Sequence, residues 1–306
     1  MSVTLSQNAW RALRCPQCGQ ELRRIAEGAQ CVGCGIRYAL APSGALDLRL
    51  QKPRKVTQEH VLGEPRGAPE RIDWRELREK RDPEVDFAGV AAPYHLTRAL
   101  MSYFPRARDA GELALDLGCG SALHRSVCEK AGYDYVGLDH ASAGAQVLGD
   151  AHALPFADAS FGFVLSIAVL EHIRLPFVAM REVCRVLRPG APFIGTVAFL
   201  EPFHSDSYFH HSHLGVLTSL REGGFEIECI APSASWNALT AQGTMGLFPR
   251  MPGALLRPLL WPLQALHRLW WAAGGLVSAE ATDATRVRNL TGAFSFVARR
   301  PRSDAP

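Results

Sequence analysis

Four cysteines near the start of the chain have the spacing of ligands to a single metal ion. They form two C-x2-C pairs separated by twelve residues, and they are Cys15, Cys18, Cys31 and Cys34. Thiolates two residues apart can both face one tetrahedral ion from a tight turn. Because ligation by sulfur alone leaves no open coordination position, we predict a structural zinc ion that folds a ribbon too small to bury an adequate core. A redox-active dithiol pair and a degenerate site are the alternatives.

Acidic residues follow apolar segments farther along the chain. Asp116 ends "LALD" before a turn with Gly118 and Gly120, Asp139 ends "YVGLD", and Asp150 lies in the next loop. A glycine turn lets the backbone approach a ligand closely, and a carboxylate such as Asp139 can accept both ribose hydroxyls of a nucleoside. Asp150 is positioned to accept from an exocyclic amine such as that of adenine. The pattern predicts a nucleoside site, and a purely structural strand-to-helix turn is the alternative for the glycines.

Alternating apolar strands and helices position these acids. Strands are predicted at "ELALDLG", "YDYVGLD", "FGFVLSIA", "PFIGTVAF", "FEIECIA" and "AFSFVARR", with helices at 122–131, "PFVAMREVCRVLRPG" and "HLGVLTSLREGG". This alternation predicts an α/β fold with a mostly parallel, doubly wound sheet. Ligands bind such sheets at the carboxyl edge of the strands, where the acids lie.

The order "LDLGCG", "GLD", "GDAHALPFADASFGFVLSIAVLEHI" and "REVCRVLRPGAPFIGTVAF" resembles the class I S-adenosylmethionine-dependent methyltransferases of the type-11 group. The resemblance covers roughly residues 90–230 and the last strand near 293–299. It implies a Rossmann-like sheet with an antiparallel last strand, S-adenosyl-L-methionine as the cofactor and S-adenosylhomocysteine as the product.

The resemblance also implies roles for individual residues. The methionine end of the cofactor would be held by Asp116, Gly118, Cys119 and Gly120. Asp139 would hold the ribose and His140 one adenine face, while Asp150 and the Ala151 backbone would hold the adenine edge. Ser166 would line the pocket.

Two departures from the family pattern stand out. Ala122 takes the place of a frequent third glycine, a change that should still permit the turn. The ten residues between Asp139 and Asp150 are too few for the usual helix and strand. We expect that helix to be absent or one turn long, with the sheet edge bare or covered by another part such as the N-terminal region.

The chain divides into three predicted parts. Residues 1–50 form the zinc ribbon, 51–88 a linker, and 89–301 the methyltransferase domain. The linker is predicted to contain a short helix over 74–81, which Asp73 would cap, and a further helix is predicted over 93–104.

The acceptor side has a histidine-rich loop. Residues 201–215 contain four of the eleven histidines, and His204 or His210 is the natural general base if the acceptor is a hydroxyl. The alternatives are an ordinary polar loop and a metal cluster. Glu171 and His172 belong to the "LEH" of the family pattern, where a loop-shaping role is more plausible than catalysis.

An apolar insertion at 232–292 is where acceptor specificity should lie. It holds four of the six tryptophans, and its leucines have helical spacing that Pro258 and Pro262 must break or restart. It is interpreted as a lid over an apolar acceptor, as a helix lying on a membrane surface through 254–273, or as a helix packed on the core. Arg257, His267 and Arg268 interrupt a run already too short for a transmembrane span.

Three functions are considered. The first is a methyltransferase that acts on an oxygen or nitrogen of a small-molecule, lipid-linked or glycan-linked metabolite. The second is a ribosomal or transfer RNA base methyltransferase that docks RNA with its ribbon, since residues 1–55 contain nine Lys or Arg against three acids. The third is a non-catalytic docking protein. The net charge of +3 does not by itself indicate nucleic-acid binding. The first residues resemble no secretory signal, so we expect a cytoplasmic protein, with peripheral membrane contact as an option.

Overall fold

The computed structural model describes residues 5–60, 75–203 and 206–302. A small three-stranded antiparallel sheet near the N-terminus consists of β1 (Leu22–Ile25), β2 (Gly28–Cys31) and β3 (Arg37–Ala39). The central sheet has eight strands in the order β10-β11-β9-β8-β5-β6-β7-β4. These strands are β4 (Leu46–Asp47), β5 (Leu113–Leu117), β6 (Asp134–Asp139), β7 (Val147–Leu148), β8 (Phe161–Ile167), β9 (Pro192–Ala198), β10 (Glu226–Pro232) and β11 (Ala293–Arg299).

The central sheet is mostly parallel. All pairs from β9 through β4 are parallel, whereas β11 is antiparallel to both of its neighbours, β9 and β10. The described helices are α1 (Gln7–Ala12), α2 (Arg98–Met101), α3 (Arg125–Lys130), α4 (Pro176–Val186), α5 (His213–Glu222), α6 (Ala238–Ala241), α7 (Gly253–Gly274) and α8 (Asp283–Leu290). The predicted doubly wound α/β fold with an antiparallel last strand is confirmed.

Apolar layers cover both faces of the sheet. In β5, Leu113, Leu115 and Leu117 belong to a core that includes α4 and α5, while Ala114 belongs to a second core with α2 and α3. Side chains alternate between faces along a strand, so a fully apolar segment can bury both faces. This explains why β5 and β8 were predictable as buried strands.

The N-terminal region covers the edge of the central sheet beside β7. No helix lies between β6 and β7, as expected from the short connection. Leu46 pairs with Val147 in parallel register, and the Leu48 N–H donates to the Leu148 carbonyl at 2.8 Å. Because β4 occupies this edge, the sheet does not leave its β7 hydrogen-bonding groups open.

A second contact joins the N-terminal region to the sheet. The Arg14 N–H donates to the Pro155 carbonyl at 2.8 Å, and the Ala157 N–H donates to the Ala12 carbonyl at 2.7 Å. Ala9, Leu13 and Tyr38 lie in the same core as the leucines of β5. The predicted ribbon therefore shares its core with the rest of the protein.

Two helix predictions are wrong in extent. Residues 75–81 contain no helix, and Asp73, the predicted cap, lies outside the described residues. Of 93–104 only Arg98–Met101 is helical. The left-handed backbone of His95, with φ of 64°, interrupts the first turn, and the Thr97 side chain caps the helix by accepting from the Leu100 N–H.

The prolines of the insertion do not break its long helix. The helix α7 runs without interruption for 22 residues and contains both Pro258 and Pro262. Each proline deprives the carbonyl four residues before it of a partner, but both of these carbonyls, on Ala254 and Pro258, belong to exposed residues. The prediction of a break was therefore wrong. In the described part of the chain, no helix combines the length and apolarity that crossing a membrane requires.

Candidate active site

A cavity of about 700 Å³ opens at the carboxyl ends of β5, β6 and β8. This volume is within the range of small-molecule sites, and the carboxyl edge is where parallel sheets bind ligands. Its wall includes Gly118, Asp139, His140, Asp150, Ala151, His152, Val169, His172, Arg174, Asp206 and Tyr208. Five of these residues were predicted for the cofactor site.

Gly118 opens the turn that forms one side of the cavity. Its φ is 70°, and a Cβ at this position would lie 2.5 Å from Cγ2 of Val169. Both the left-handed backbone and the contact with Val169 therefore require glycine. Gly120 has φ of 51°, but a Cβ there would meet nothing within 4 Å.

Asp139 ties this turn to the loop after β6. Its Oδ2 accepts from the Gly120 N–H at 3.0 Å, and its Oδ1 accepts from the N–H groups of Ala141 and Ser142, each at 2.9 Å. A carboxylate has about four acceptor positions, so three backbone donors leave about one for a ligand. These hydrogen bonds hold the loop in place without the helix that usually follows such a strand.

Asp150 is oriented by a histidine that sequence reasoning missed. His152 Nε2 accepts from the Leu175 N–H at 3.0 Å, so the ring proton lies on Nδ1, which donates to Asp150 Oδ1 at 2.5 Å. The hydrogen bond from His152 lowers the pKa of Asp150 below its usual range. The carboxylate is thus fixed in its charged form. The signal that could have indicated this was the two-residue spacing of Asp150 and His152, which suits a capped turn.

Three of the residues predicted to bind the cofactor have buried side chains that do not line the cavity. Asp116 is buried, and its Oδ2 accepts from the Tyr135 hydroxyl at 2.7 Å. Cys119 is buried in a small cluster beside Leu148. Ser166 is fully buried, and its Oγ has no hydrogen-bond partner among the described residues. The structure therefore places these side chains beneath the loops that line the cavity.

The histidine-rich loop contributes other residues than those predicted. His204 lies outside the described residues, and His210 does not line the cavity, although Asp206 and Tyr208 do. His211 is buried, and burial lowers its pKa to about 4. The neutral imidazole of His211 is therefore part of the interior.

Glu171 connects this loop to the end of β8. Its carbonyl accepts from the N–H groups of Tyr208 and Phe209, at 2.7 and 3.2 Å. Its side chain is fully buried, and burial together with the nearby Glu201 raises the pKa of the carboxyl to about 7. Glu171 thus positions the loop, as its place in the "LEH" segment suggested.

The four cysteines of the ribbon converge. Their sulfur atoms all lie within 4.8 Å of one another, with 3.7 Å between Cys15 and Cys34 and 3.4 Å between Cys18 and Cys31. Four thiolates on a tetrahedral zinc ion are about 3.8 Å apart, so the cluster is close to the size that zinc requires. The N–H groups of Gly33 and Cys34 point at the Cys31 sulfur, at 3.3 and 3.4 Å, as is typical of a stabilised thiolate.

Residues 115–195 match the family model of a methyltransferase domain. This part of the chain is similar to known methyltransferase domains. Within it lie the glycine turn, Asp139, Asp150 and the "LEH" segment, and the family resemblance is thereby confirmed.

Similar proteins share this domain. A putative methyltransferase of Encephalitozoon cuniculi is 39% identical over 105 residues, which are 32% of this chain and 48% of that protein. The demethylmenaquinone methyltransferase of Mycobacterium tuberculosis is 35% identical over 133 residues, which are 37% of this chain and 57% of that protein. The chain thus spans about half the length of these relatives. The crystal structure of the [4+2]-cyclase SpnF is similar with a TM-score of 0.45 and 19% identity, over 75% of this chain and 87% of that one.

Proposed function

We propose that this protein is an S-adenosylmethionine-dependent methyltransferase acting on an oxygen or nitrogen of a small-molecule, lipid-linked or glycan-linked metabolite. The observation that carries the proposal is the wall of the cavity in the methyltransferase domain. There Asp139, Asp150 and the Gly118 turn face one space of about 700 Å³ at the carboxyl edge of the sheet. This arrangement suits a ligand with a nucleoside at one end and an amino acid at the other.

Different residues of the cavity wall would contact different parts of the cofactor. Asp139 would accept one ribose hydroxyl with its remaining acceptor position, and Asp150, held by His152, would accept from the adenine amine. His140 would lie against an adenine face, and the turn at Gly118 would pass close to the methionine end.

When bound, the cofactor supplies an electrophilic methyl group on a sulfonium. The chain then has to hold the acceptor in line with that methyl group and exclude water, since much of the rate comes from alignment. No nucleophilic side chain is required. For a hydroxyl acceptor, His172 on the cavity wall is better placed by geometry than His210 to take the proton.

The ribbon would hold one structural zinc ion through Cys15, Cys18, Cys31 and Cys34. Its role would be to fix β4 beside the cofactor loop. Arg49, two residues after β4, is paired with Asp47, and its Nη1 donates to the His140 carbonyl at 3.4 Å. The ribbon would therefore support the ribose and adenine side of the cavity.

The small-molecule acceptor is favoured by two features. One relative is named for methylation of demethylmenaquinone, which is a small molecule. The insertion at 232–292 contains no Asp or Glu before Glu280 and exposes many leucines, a surface better suited to an apolar acceptor than to RNA.

The RNA alternative depends on the exposed arginines of the ribbon. Arg23 and Arg37 are exposed. However, Arg23 donates a hydrogen bond to the Gln30 side chain, and the Arg24 guanidinium lies over the Trp10 ring. RNA binding that weakens with salt and is lost on neutralising Arg23, Arg24 and Arg37 would favour this alternative.

Calorimetry with S-adenosylhomocysteine tests the proposal. We expect the full chain to bind it, Asp139→Ala to abolish binding, and Asp150→Ala to weaken it about tenfold or more, as expected for loss of a charged hydrogen bond. Asp109→Ala is the matched control, because Asp109 is exposed and remote from the cavity. Absence of binding by the folded protein would contradict the methyltransferase proposal and favour a non-catalytic docking protein.

A further inference from the structure

A second cavity, of about 60 Å³, lies between α7, α8 and the segment that follows β10. A cavity needs at least about 10–15 Å³ to hold one water molecule, so this one has room for a group the size of phosphate but not for a nucleoside. It shares no lining residue with the larger cavity of the candidate active site. Its polar lining consists of Ser233, Asn237, Gln264, His267, Arg268 and Arg286.

Two helices bring cationic side chains to this cavity from different directions. Gln264, His267 and Arg268 are three and four residues apart, so they lie on one face of α7. Arg286 belongs to α8, which packs beside α7. A guanidinium group from each helix therefore lines the same small space.

The positive charge of the cavity is not balanced by an acid in its lining, which contains no Asp or Glu. Arg268 forms no ion pair with a described residue. Arg286 pairs with Asp283 at 2.7 Å, but the Asp283 side chain is 82% exposed, so solvent screens this pair. The exposed Glu76 accepts from the Ala234 N–H at 3.3 Å and does not line the cavity. A surplus of positive charge therefore remains.

His267 adds an unpartnered nitrogen to this charge. Its Nε2 is buried and has no hydrogen-bond partner among the described residues. Burial, together with the charges of Arg286 and Arg268, lowers the pKa of His267. A neutral imidazole protonated on Nε2 can donate to an anion. Such a bond would satisfy a buried polar atom that otherwise costs free energy.

We propose that this cavity binds a phosphate group through Arg268, Arg286 and His267. The planar donor set of a guanidinium matches the oxygens of phosphate, and an arginine–phosphate contact is a charge-assisted hydrogen bond. A single arginine already pairs side-on with a planar carboxylate. Two guanidinium groups that approach from different helices, with His267 beside them, suit a tetrahedral anion better.

The cavity lies at the carboxyl edge of the central sheet. Because β11 is antiparallel to both β9 and β10, these two strands run in the same direction, and Ser233 directly follows the end of β10. The candidate active site lies at the same edge. A phosphorylated acceptor of the proposed methyltransferase is one source of the phosphate group, and free inorganic phosphate is the other.

Calorimetry of the full chain with inorganic phosphate, in a buffer without other oxyanions, tests the site. We expect saturable binding of one phosphate per chain. Arg268→Gln and Arg286→Gln should each weaken it at least about tenfold through loss of a charged hydrogen bond. Arg257→Gln is the matched control, because Arg257 is an exposed arginine of the same helix that does not line the cavity.

A parallel titration with glycerol phosphate distinguishes the two sources. Tighter binding of this ester than of inorganic phosphate would support a site for a phosphorylated metabolite, and the reverse order would support a site for the free anion. Asp139→Ala should leave phosphate binding unchanged, so the outcome is independent of the methyltransferase proposal.

Lack of saturable phosphate binding by the natural chain, with thermal unfolding showing that the protein is folded, would overturn the proposal. So would a loss of binding in Arg257→Gln as large as that in Arg268→Gln. Phosphate would then respond only to the general positive charge of α7.

Discussion

At the scale of single residues, Gly118 combines a left-handed backbone with a close contact to Val169 on the cavity wall. We expect Gly118→Ala to lose S-adenosylhomocysteine binding by at least about tenfold, because the new Cβ would displace Val169 on the cavity wall and strain a left-handed backbone. Calorimetry gives the affinity and thermal unfolding the stability.

Gly89→Ala provides the control for backbone strain alone. Gly89 has φ of 75°, and a Cβ there would meet nothing within 4 Å. It should lower stability by about 1 kcal/mol and leave ligand binding intact. Equal loss of binding in both variants would mean that the contact with Val169 is not the cause.

Glu171 should make stability depend on pH. Its pKa is raised from 4.5 to about 7, so between these values the folded state keeps a proton that the unfolded state has released. The free energy of unfolding therefore falls as pH rises through this window, by about 3 kcal/mol in all. We expect Glu171→Gln to differ little from the natural protein at pH 4.5 and to be more stable at pH 8 by about this amount.

Urea unfolding at several pH values measures this difference, and Glu27→Gln, which changes an exposed carboxyl, is the control. A difference that does not grow with pH would show that folding does not raise the pKa of Glu171.

At the scale of elements, α7 remains one continuous helix although proline usually breaks or kinks a helix interior. We expect Pro258→Ala to restore the hydrogen bond to the Ala254 carbonyl and to stabilise the helix by up to about 3 kcal/mol. Hydrogen exchange should become at least about tenfold slower in residues 254–262. Pro252→Ala changes only the residue before the helix and should not have this effect in the helix interior. Unchanged exchange in Pro258→Ala would mean that the proline does not limit the stability of α7.

At the scale of the whole molecule, the cysteine ribbon and the central sheet should unfold together. Because Leu13, Tyr38 and Leu48 lie in one core with the sheet, removal of zinc by a chelator should lower a single unfolding temperature by at least about 5 °C. Calorimetry and zinc analysis check this. A Cys18→Ser with Cys34→Ser variant should not respond to the chelator. Separate melting of the ribbon, with the main transition unchanged, would contradict the shared core.

The central strands and the order of the acids were predictable because buried parallel strands are continuously apolar and their carboxyl ends meet at one edge. Asp139 and Asp150 could be assigned to that edge from their positions alone. Local signals failed where tertiary contacts outweigh propensity, since the helix predicted over 93–104 is reduced to one turn. The roles that the family resemblance implies for Asp116 and Ser166 stay predictions, and the structure shows that both side chains are buried beneath the cavity wall.

The sequence by itself determined the α/β alternation, the short connection after Asp139 and the two C-x2-C pairs of the ribbon, since each is a matter of local composition and spacing. Only the tertiary structure decided that β4 completes the sheet beside β7, that His152 orients Asp150, and that Arg268 and Arg286 line one cavity. These features depend on which distant segments meet. Many chain arrangements would satisfy the same local pattern, and packing of the whole core selects among them.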